Sequence, residues 1–178
     1  MKLKDPCREV RAAHDSGKRP GRPTLIVIHG TEGSTAAGAA GWFRNPDSQG
    51  SAHKVVDARE CYRCVPDDVI AWAAPPLNEE GLHIEFAAMA SWSRSIWLSR
   101  EKIRAFYRGA YHVARWTKEF DIPLSWLSTD ELRAGKRRGL TTHRRVTFAF
   151  GESSHTCPGV GFPERAFMKW VRYYRRRM

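Results

Sequence analysis

The stretch TLIVIHG, residues 24–30, decides the fold, because it is a continuous apolar run that ends in a histidine and a glycine. A short apolar run without alternation is typical of a strand buried on both faces of a sheet. We therefore predict a central strand whose end points the imidazole of His29 toward a loop. The next segment, residues 31–51, is rich in Gly, Ala and Ser and predicts a groove-lining loop with a short helix over residues 36–43.

Three further strands are predicted downstream: AHKVVD, CYRCV and GLHIEFA, at residues 52–57, 61–65 and 81–87. In the last of them, successive side chains alternate between the two faces of the strand. The alternation points the apolar residues to one face and His83 and Glu85 to the other. A carboxylate and an imidazole therefore share one face of a strand.

Helices are predicted in the second half of the chain. The segment SREKIRAFYRGAYHVARWTKEF has helical core spacing, with Ser99 as its cap and His112 on the exposed face. In STDEL, Ser128 stands three residues before Glu131, which is the signature of a capping box. A last helix begins at Pro163. Because strands and helices intermingle, we predict an α/β fold with a mixed central β-sheet flanked by helices.

We predict one folded catalytic domain over residues 24–178, preceded by a polar, basic lead-in at residues 1–23. The hydrophobic fraction of 42%, with seven tryptophans and eight phenylalanines, argues against disorder. No apolar run approaches the roughly 20 residues of a membrane span, and the start of the chain lacks the apolar core of a signal peptide. We expect a monomer that is made in the cytoplasm and does not insert into a membrane.

The formal net charge is +11, and much of it gathers in RAGKRRGLTTHRR and in the terminal RRRM. Such a charge indicates an anionic partner. Nucleic acid, an anionic cell wall and a membrane surface fit it equally well, so charge alone does not choose among them.

The four cysteines are too few and too scattered to predict a disulfide scaffold, and we expect free thiols or a metal ligand instead. CYRC has the spacing of a redox motif. In an extended strand, however, Cys61 and Cys64 point to opposite faces, whereas redox pairs of this kind usually open a helix. Redox activity is therefore not predicted.

The segment HRRVTFAFGESSHTCPG, residues 143–159, places two histidines and a cysteine close together. A catalytic zinc site takes three protein ligands and leaves a fourth position for water, and His29, His143 and Cys157 are suitable donors. Alternatively, Cys157 is a nucleophile with His155 or His143 as its base, or these are polar residues near a strand end. Spacing alone leaves these alternatives open.

Four groups of segments occur in a characteristic order: LIVIHGTEG, GSAHKVVDARECYRCVPDDVIAWAA, GLHIEFA, and GLTTHRRV with HTCPGVGFP. Together they resemble the zinc-dependent N-acetylmuramoyl-L-alanine amidases, the family shared by phage endolysins, bacterial cytosolic muropeptide amidases and animal peptidoglycan recognition proteins. The resemblance spans about residues 24–163. It implies a peptidoglycan recognition protein-like fold and hydrolysis of the amide bond between N-acetylmuramic acid and L-alanine in peptidoglycan.

By position, the resemblance makes His29, His143 and Cys157 the ligands of one Zn²⁺ per chain. Many members have aspartate where this chain has Cys157, and both residues are anionic ligands. Glu85 matches the glutamate that some members use as a general base. His155 matches a lysine or histidine that stabilises the oxyanion formed when zinc-activated water attacks the amide carbonyl.

The resemblance also implies a groove for the glycan and the stem peptide, walled by the loop after the first strand. Trp72, His53 and Thr31 are the expected substrate-binding residues. Other positions depart from the family pattern. Ala52 replaces a catalytic tyrosine, Ala73 replaces a groove histidine, Lys54 stands where an aromatic or small residue is usual, and His83 stands where glycine is usual.

The resulting hypothesis is a phage endolysin that acts on the cell wall after release, with its basic carboxyl end bound to anionic wall polymers. The alternative from another class is an inactive peptidoglycan-binding recognition module with the same fold. Such modules usually lack the third ligand, and Cys157 preserves it. A nucleic-acid-binding function rests on charge alone, so we expect no specific nucleic-acid partner.

Overall fold

The computed structural model describes residues 6–178. Within that range the strands are β1 (Arg8–Glu9), β2 (Leu25–Gly30), β3 (Lys54–Val56), β4 (Cys61–Arg63), β5 (Gly81–Phe86) and β6 (Gly139–Thr142). The α-helices are α1 (Ala36–Arg44), α2 (Arg94–Trp97), α3 (Ile103–Glu119), α4 (Thr129–Arg133), α5 (His143–Phe150) and α6 (Glu164–Arg175).

The apolar strand β2 lies inside the sheet, with all its residues buried and a parallel strand on each side. The strand order is β1-β4-β3-β5-β2-β6. β3 and β4 pair antiparallel, and the other neighbours pair parallel. The predicted mixed sheet is therefore confirmed, including the burial of its central strand.

Both faces of the sheet are covered, because alternate residues of β2 contact different cores. Ile26 and Ile28 belong to the core that includes residues of α3 and α6. Leu25 and Val27 pack with residues of α4 and α5, and α1 covers β3 and β4 on the same face. α3 approaches the sheet closely at Gly109, where a Cβ atom would overlap the Phe86 ring.

Two predictions about α3 were wrong. The helix begins at Ile103 after Lys102, which makes no side-chain capping bond, so Ser99 is not its cap. His112 is buried rather than exposed, because the amino-terminal segment covers this side of the helix and brings Cys7 Sγ to 3.6 Å from its Nε2. Over residues 6–178, no helix is both long enough and apolar enough to cross a membrane.

Two residues of the segment predicted as a lead-in, Arg8–Glu9, form a strand of the sheet. β1 pairs with β4, and a disulfide bond joins Cys7 to Cys61. The expectation of free thiols was therefore wrong for this pair, because the fold brings together two cysteines that are 54 positions apart. It was right for Cys64 and Cys157, which are free and buried.

Candidate active site

Neighbouring parallel strands end at one edge of the sheet and bring polar side chains together there. His29 of β2 stands in register with Glu85 of β5. On the other side of β2, Ile28 pairs with Thr142, the last residue of β6. The chain turns there directly into α5, because the Thr142 side chain caps the helix, and the first helical residue is His143.

The donor atoms of His29, His143 and Cys157 are close enough together to bind one metal ion. The two Nδ1 atoms lie 3.0 Å apart, and Sγ of Cys157 lies 3.5 Å from Nδ1 of His143. Zinc–nitrogen bonds of about 2.0–2.1 Å and a zinc–sulfur bond of about 2.3 Å put tetrahedral ligand atoms about 3.3–3.6 Å apart. All three side chains are buried, and the three donor atoms lie within 4.8 Å of one another.

The protonation of these side chains also suits a metal. Burial lowers the pKa of His29 well below its usual value, and it lowers the pKa of His143 to about 4, so both imidazoles are neutral. Burial, reinforced by Glu85, raises the pKa of the Cys157 thiol. A metal binds neutral imidazoles without competition from protons, and a bound cation displaces the proton of a coordinating thiol. The three residues therefore fit a divalent cation.

A chain of hydroxyl groups orients His143. The Thr147 hydroxyl donates to the backbone carbonyl of His155 at 2.7 Å, and Ser153 Oγ lies 2.7 Å from Thr147 Oγ1. Because the Thr147 proton is already engaged, Ser153 donates to Thr147 and accepts from Nε2 of His143 at 3.3 Å. His143 thus presents the lone pair of Nδ1 to the donor set.

The carboxyl group of Glu85 lies beside the three donors. Its Oε1 is 3.8 Å from Nδ1 of His29, and its side chain is only 12% exposed. Burial, with a smaller contribution from Glu32, raises the pKa of Glu85 to about 8. A carboxyl group whose pKa is near neutrality can both accept and return a proton in that range.

An open cleft of about 900 Å³ reaches these residues, and Glu85, His143 and Cys157 contribute to its lining. His155 also lines the cleft, is exposed, and has its ring centroid 5.0 Å from that of His143. Two exposed indole rings line the same cleft, those of Trp42 and Trp72. The cleft therefore combines aromatic surface with the polar groups that a reaction needs.

The amino-terminal segment contributes one wall of this cleft, which sequence reasoning missed. The His14 ring stacks on Trp72 at a centroid distance of 4.8 Å and an interplanar angle of 14°. The Trp72 indole donates to Ser16 Oγ at 2.7 Å, and Ser16 itself lines the cleft. His14 and Ser16 lie in a polar segment without a motif or a hydrophobic period, so the sequence did not predict that they contribute to the cleft wall.

The predicted substrate contacts separate into two groups. Thr31 and Trp72 line the cleft. His53 does not, because it is fully buried and both ring nitrogens are engaged: Nδ1 accepts the backbone N–H of His83 at 3.0 Å, and Nε2 donates to the Val69 carbonyl at 3.0 Å. In contrast to the prediction, His53 therefore lies outside the lining of the cleft.

Lys54, one of the departures from the family pattern, is a packing residue. Its ammonium group lies 3.3 Å from Asp67 and 3.9 Å from the centroid of the Trp116 ring. Trp116 donates to the same carboxylate at 2.8 Å. The Asp67 carboxylate thus pairs with the Lys54 ammonium group on the face of the sheet opposite to Glu85.

The sequence profile of the N-acetylmuramoyl-L-alanine amidase family matches residues 19–160, a range that contains the three donors and Glu85. The chain belongs to this amidase family. The predicted family relationship is thereby confirmed. A search of curated proteins finds no significant match.

Solved structures share the amidase fold. The hydrolase AmiA of Staphylococcus aureus, solved in complex with its ligand, is 18% identical, with a TM-score of 0.76 over 97% of this chain and 85% of that chain. An AmpD derivative is 18% identical, with a TM-score of 0.66 over 93% and 94% of the two chains. A mutant endolysin from Bacillus subtilis is 19% identical, with a TM-score of 0.64 over 94% and 99%. These likenesses confirm the predicted fold.

Proposed function

We propose that this amidase is a zinc-dependent peptidoglycan hydrolase that cleaves the bond between N-acetylmuramic acid and L-alanine, and that it works as a phage endolysin. Family membership supports peptidoglycan amidase activity. Zinc-dependent hydrolysis is supported by the position of His29, His143 and Cys157 next to the buried carboxyl group of Glu85, at an open cleft.

His29, His143 and Cys157 would hold the zinc ion. When bound, zinc supplies Lewis acidity that polarises a water molecule and the scissile carbonyl group. The remaining steps belong to residues of the chain. The carboxylate of Glu85 accepts a proton from the attacking water and later returns it to the departing nitrogen. The C–N bond then breaks with release of a neutral amine.

His155 would donate a hydrogen bond to the oxygen of the tetrahedral adduct, since its exposed ring lies at the cleft beside His143. Thr31 and Trp72 would bind the substrate along the wall of the cleft. Indole rings present a broad apolar face with a polar edge, which suits a sugar ring or a stem peptide.

A peptidoglycan-binding module without activity is the second candidate, because it would share the fold and the cleft. The complete donor set favours the enzyme, since a binding module needs neither three converging ligands nor a buried carboxyl group beside them. The two candidates differ in one measurable product, the new amino terminus of alanine.

The test is a metal analysis combined with digestion of purified cell walls. We expect about one zinc per chain and release of alanine amino termini. Glu85→Ala should keep the metal and lose hydrolysis, whereas Glu152→Ala, at an exposed position, should behave as the wild type. Metal-replete wild type that releases no alanine amino termini would exclude the enzyme and favour the binding module.

The endolysin setting is supported by the likeness of the fold to the Bacillus subtilis endolysin. Its test is lysis of cells whose membrane has been opened by a separate permeabilising agent. We expect rapid lysis with the wild type and none with Glu85→Ala. Activity on soluble muropeptides without activity on intact walls would instead indicate a recycling enzyme.

A further inference from the structure

We infer that His83 is a positioning residue for His29, the first of the proposed zinc ligands; the inference rests on the zinc site proposed above. His83 lies in β5 on the same face as Glu85, and its side chain is fully buried. Its Nδ1 is 3.1 Å from Nε2 of His29. That nitrogen is on the side of the His29 ring away from the other two ligands.

The hydrogen bonds assign the proton of His29. Its Nδ1 lies 3.0 Å from Nδ1 of His143 and belongs to the donor set, so it must present a lone pair to bind a cation. Nε2 then carries the proton and donates it to Nδ1 of His83. The ligand is thus oriented by a neutral imidazole, where a carboxylate, a backbone carbonyl or a water molecule is the usual partner.

His83 is itself held in place by its neighbours. Its backbone N–H donates to His53 Nδ1, and the two imidazoles stack at 5.6 Å with an interplanar angle of 17°. Gly81 leaves space for the ring, because a Cβ atom there would lie 2.7 Å from His83 Nε2. The Arg19 guanidinium donates to the Gly81 carbonyl at 3.1 Å and so fixes the start of β5. These contacts aim Nδ1 of His83 at His29.

Loss of this acceptor should weaken the zinc site without removing a ligand. Without it, the proton of His29 is free to move to Nδ1, and the ring loses the partner that orients it. Partners of this kind are worth about 10–100-fold in metal affinity. This loss of zinc affinity does not depend on catalytic turnover, so it can be measured by metal binding alone.

Two amide substitutions test the inference as a matched pair. His83→Asn places an amide oxygen near the position of Nδ1, whereas His83→Gln places it near Nε2, out of reach of His29. Zinc affinity is measured by competition with a chromophoric chelator, and the visible spectrum of the cobalt-substituted protein reports ligand geometry. We expect His83→Asn to stay near the wild type, and His83→Gln to bind zinc about 10–100-fold more weakly with a changed cobalt spectrum.

Circular dichroism and thermal unfolding of the metal-free variants serve as the control for folding. Equal zinc affinity and identical cobalt spectra for the two variants would overturn the inference. The inference also fails if the two variants differ in zinc-binding free energy only as much as in the free energy of unfolding of their metal-free forms. In that case His83 acts through packing. A wild type that binds no zinc would overturn the proposed function as well, so the two failures are distinguishable.

Discussion

Nδ1 of His29 lies 3.8 Å from Oε1 of Glu85 because the two residues stand in register on neighbouring parallel strands. The imidazole of His29 and the carboxyl group of Glu85 are therefore placed by backbone pairing in the interior of the sheet. Such pairing is among the least mobile parts of a fold. Strand pairing thus holds the Glu85 carboxyl group, whereas His155 lies outside the sheet, on the segment that follows α5.

Burial of Glu85 should make the metal-free protein less stable at alkaline pH. Its folded pKa of about 8 is raised above the usual 4.5. The contribution of Glu85 to the free energy of unfolding is therefore fully present below pH 4.5, where its carboxyl group is protonated. This contribution is lost as the pH rises through about 8. Glu85→Gln removes this loss, so the metal-free variant should be more stable than the wild type at pH 9, by at most about 5 kcal/mol.

Urea unfolding of both metal-free proteins from pH 4 to pH 9 measures this difference. The two stabilities should converge near pH 4, where both side chains are neutral. A constant difference across the range would show that the carboxyl group is not buried as described. The variant should at the same time lose wall hydrolysis, so that stability and activity change in opposite directions.

The main strands were predictable because each depends on a local pattern, whereas the candidate site residues were predicted from the resemblance to a family. The unbroken apolar run of β2 predicted a buried strand that ends at His29, and the alternation in β5 predicted the face on which Glu85 lies. β6 and α5 were not predicted. GLTT has one large apolar residue, and the helical residues after it mix arginines with aromatic and β-branched side chains, so neither segment has a clear period.

Contacts between distant segments account for the remaining errors. His112 was predicted to be exposed because it lies opposite the apolar stripe of α3, but it is buried next to Cys7 and Cys61. The bond between Cys7 and Cys61 depends on the pairing of β1 with β4. The two residues of β1 are too few to form a pattern that predicts a strand. The position of His53 outside the cleft lining also depends on a distant contact, the hydrogen bond from the His83 backbone to its ring.

The disulfide between Cys7 and Cys61 should contribute substantially to stability. For a separation of 54 positions, the chain-entropy relation gives about 4 kcal/mol. Cys7→Ser/Cys61→Ser should therefore lower the free energy of unfolding by up to this amount, measured in guanidinium chloride under oxidising conditions. The reductant tris(2-carboxyethyl)phosphine should destabilise the wild type and leave the double variant unchanged. Equal sensitivity of both proteins to the reductant would contradict the assignment of this bond.

His53 should make the protein sensitive to acid. Burial and the nearby Arg19 lower the pKa of His53 to about 3. A folded pKa below the unfolded value of 6.5 means that its stabilising effect is complete above pH 6.5 and is lost as the pH falls toward 3. The cost from this one group reaches about 3 kcal/mol at pH 4.

His53→Asn separates this contribution from that of the other buried histidines. The amide oxygen of asparagine can replace Nδ1 as acceptor for the His83 backbone N–H. We expect the metal-free variant to show a shallower fall in stability between pH 6.5 and pH 4 than the wild type, as measured by urea unfolding. Parallel curves would show that the pKa of His53 is not lowered in the folded protein, which would contradict the prediction.

Two basic segments that are far apart in sequence meet around the loop at residues 119–124, and we propose that this surface binds anionic wall polymers. Arg138 donates to the Asp121 carbonyl at 3.0 Å, and Arg172 donates to the Leu124 carbonyl at 3.5 Å. Guanidinium groups of Arg138 and Arg175 each lie 3.9 Å from the Asp121 carboxylate. Two guanidinium groups thus share the Asp121 carboxylate, and Arg172 adds a third positive charge beside them. This surface therefore has an excess of positive charge that suits a polyanion.

The triple substitution of Arg138, Arg172 and Arg175 by glutamine should weaken retention on phosphodiester-containing wall polymers. As for other phosphodiester polyanions, the slope of log K against log salt should fall by about one for each lost contact. The control replaces exposed Arg59, Arg100 and Arg104 by glutamine and so removes the same net charge elsewhere. Equal retention of the two triple variants would show that only total charge matters, and the proposed surface would then be wrong.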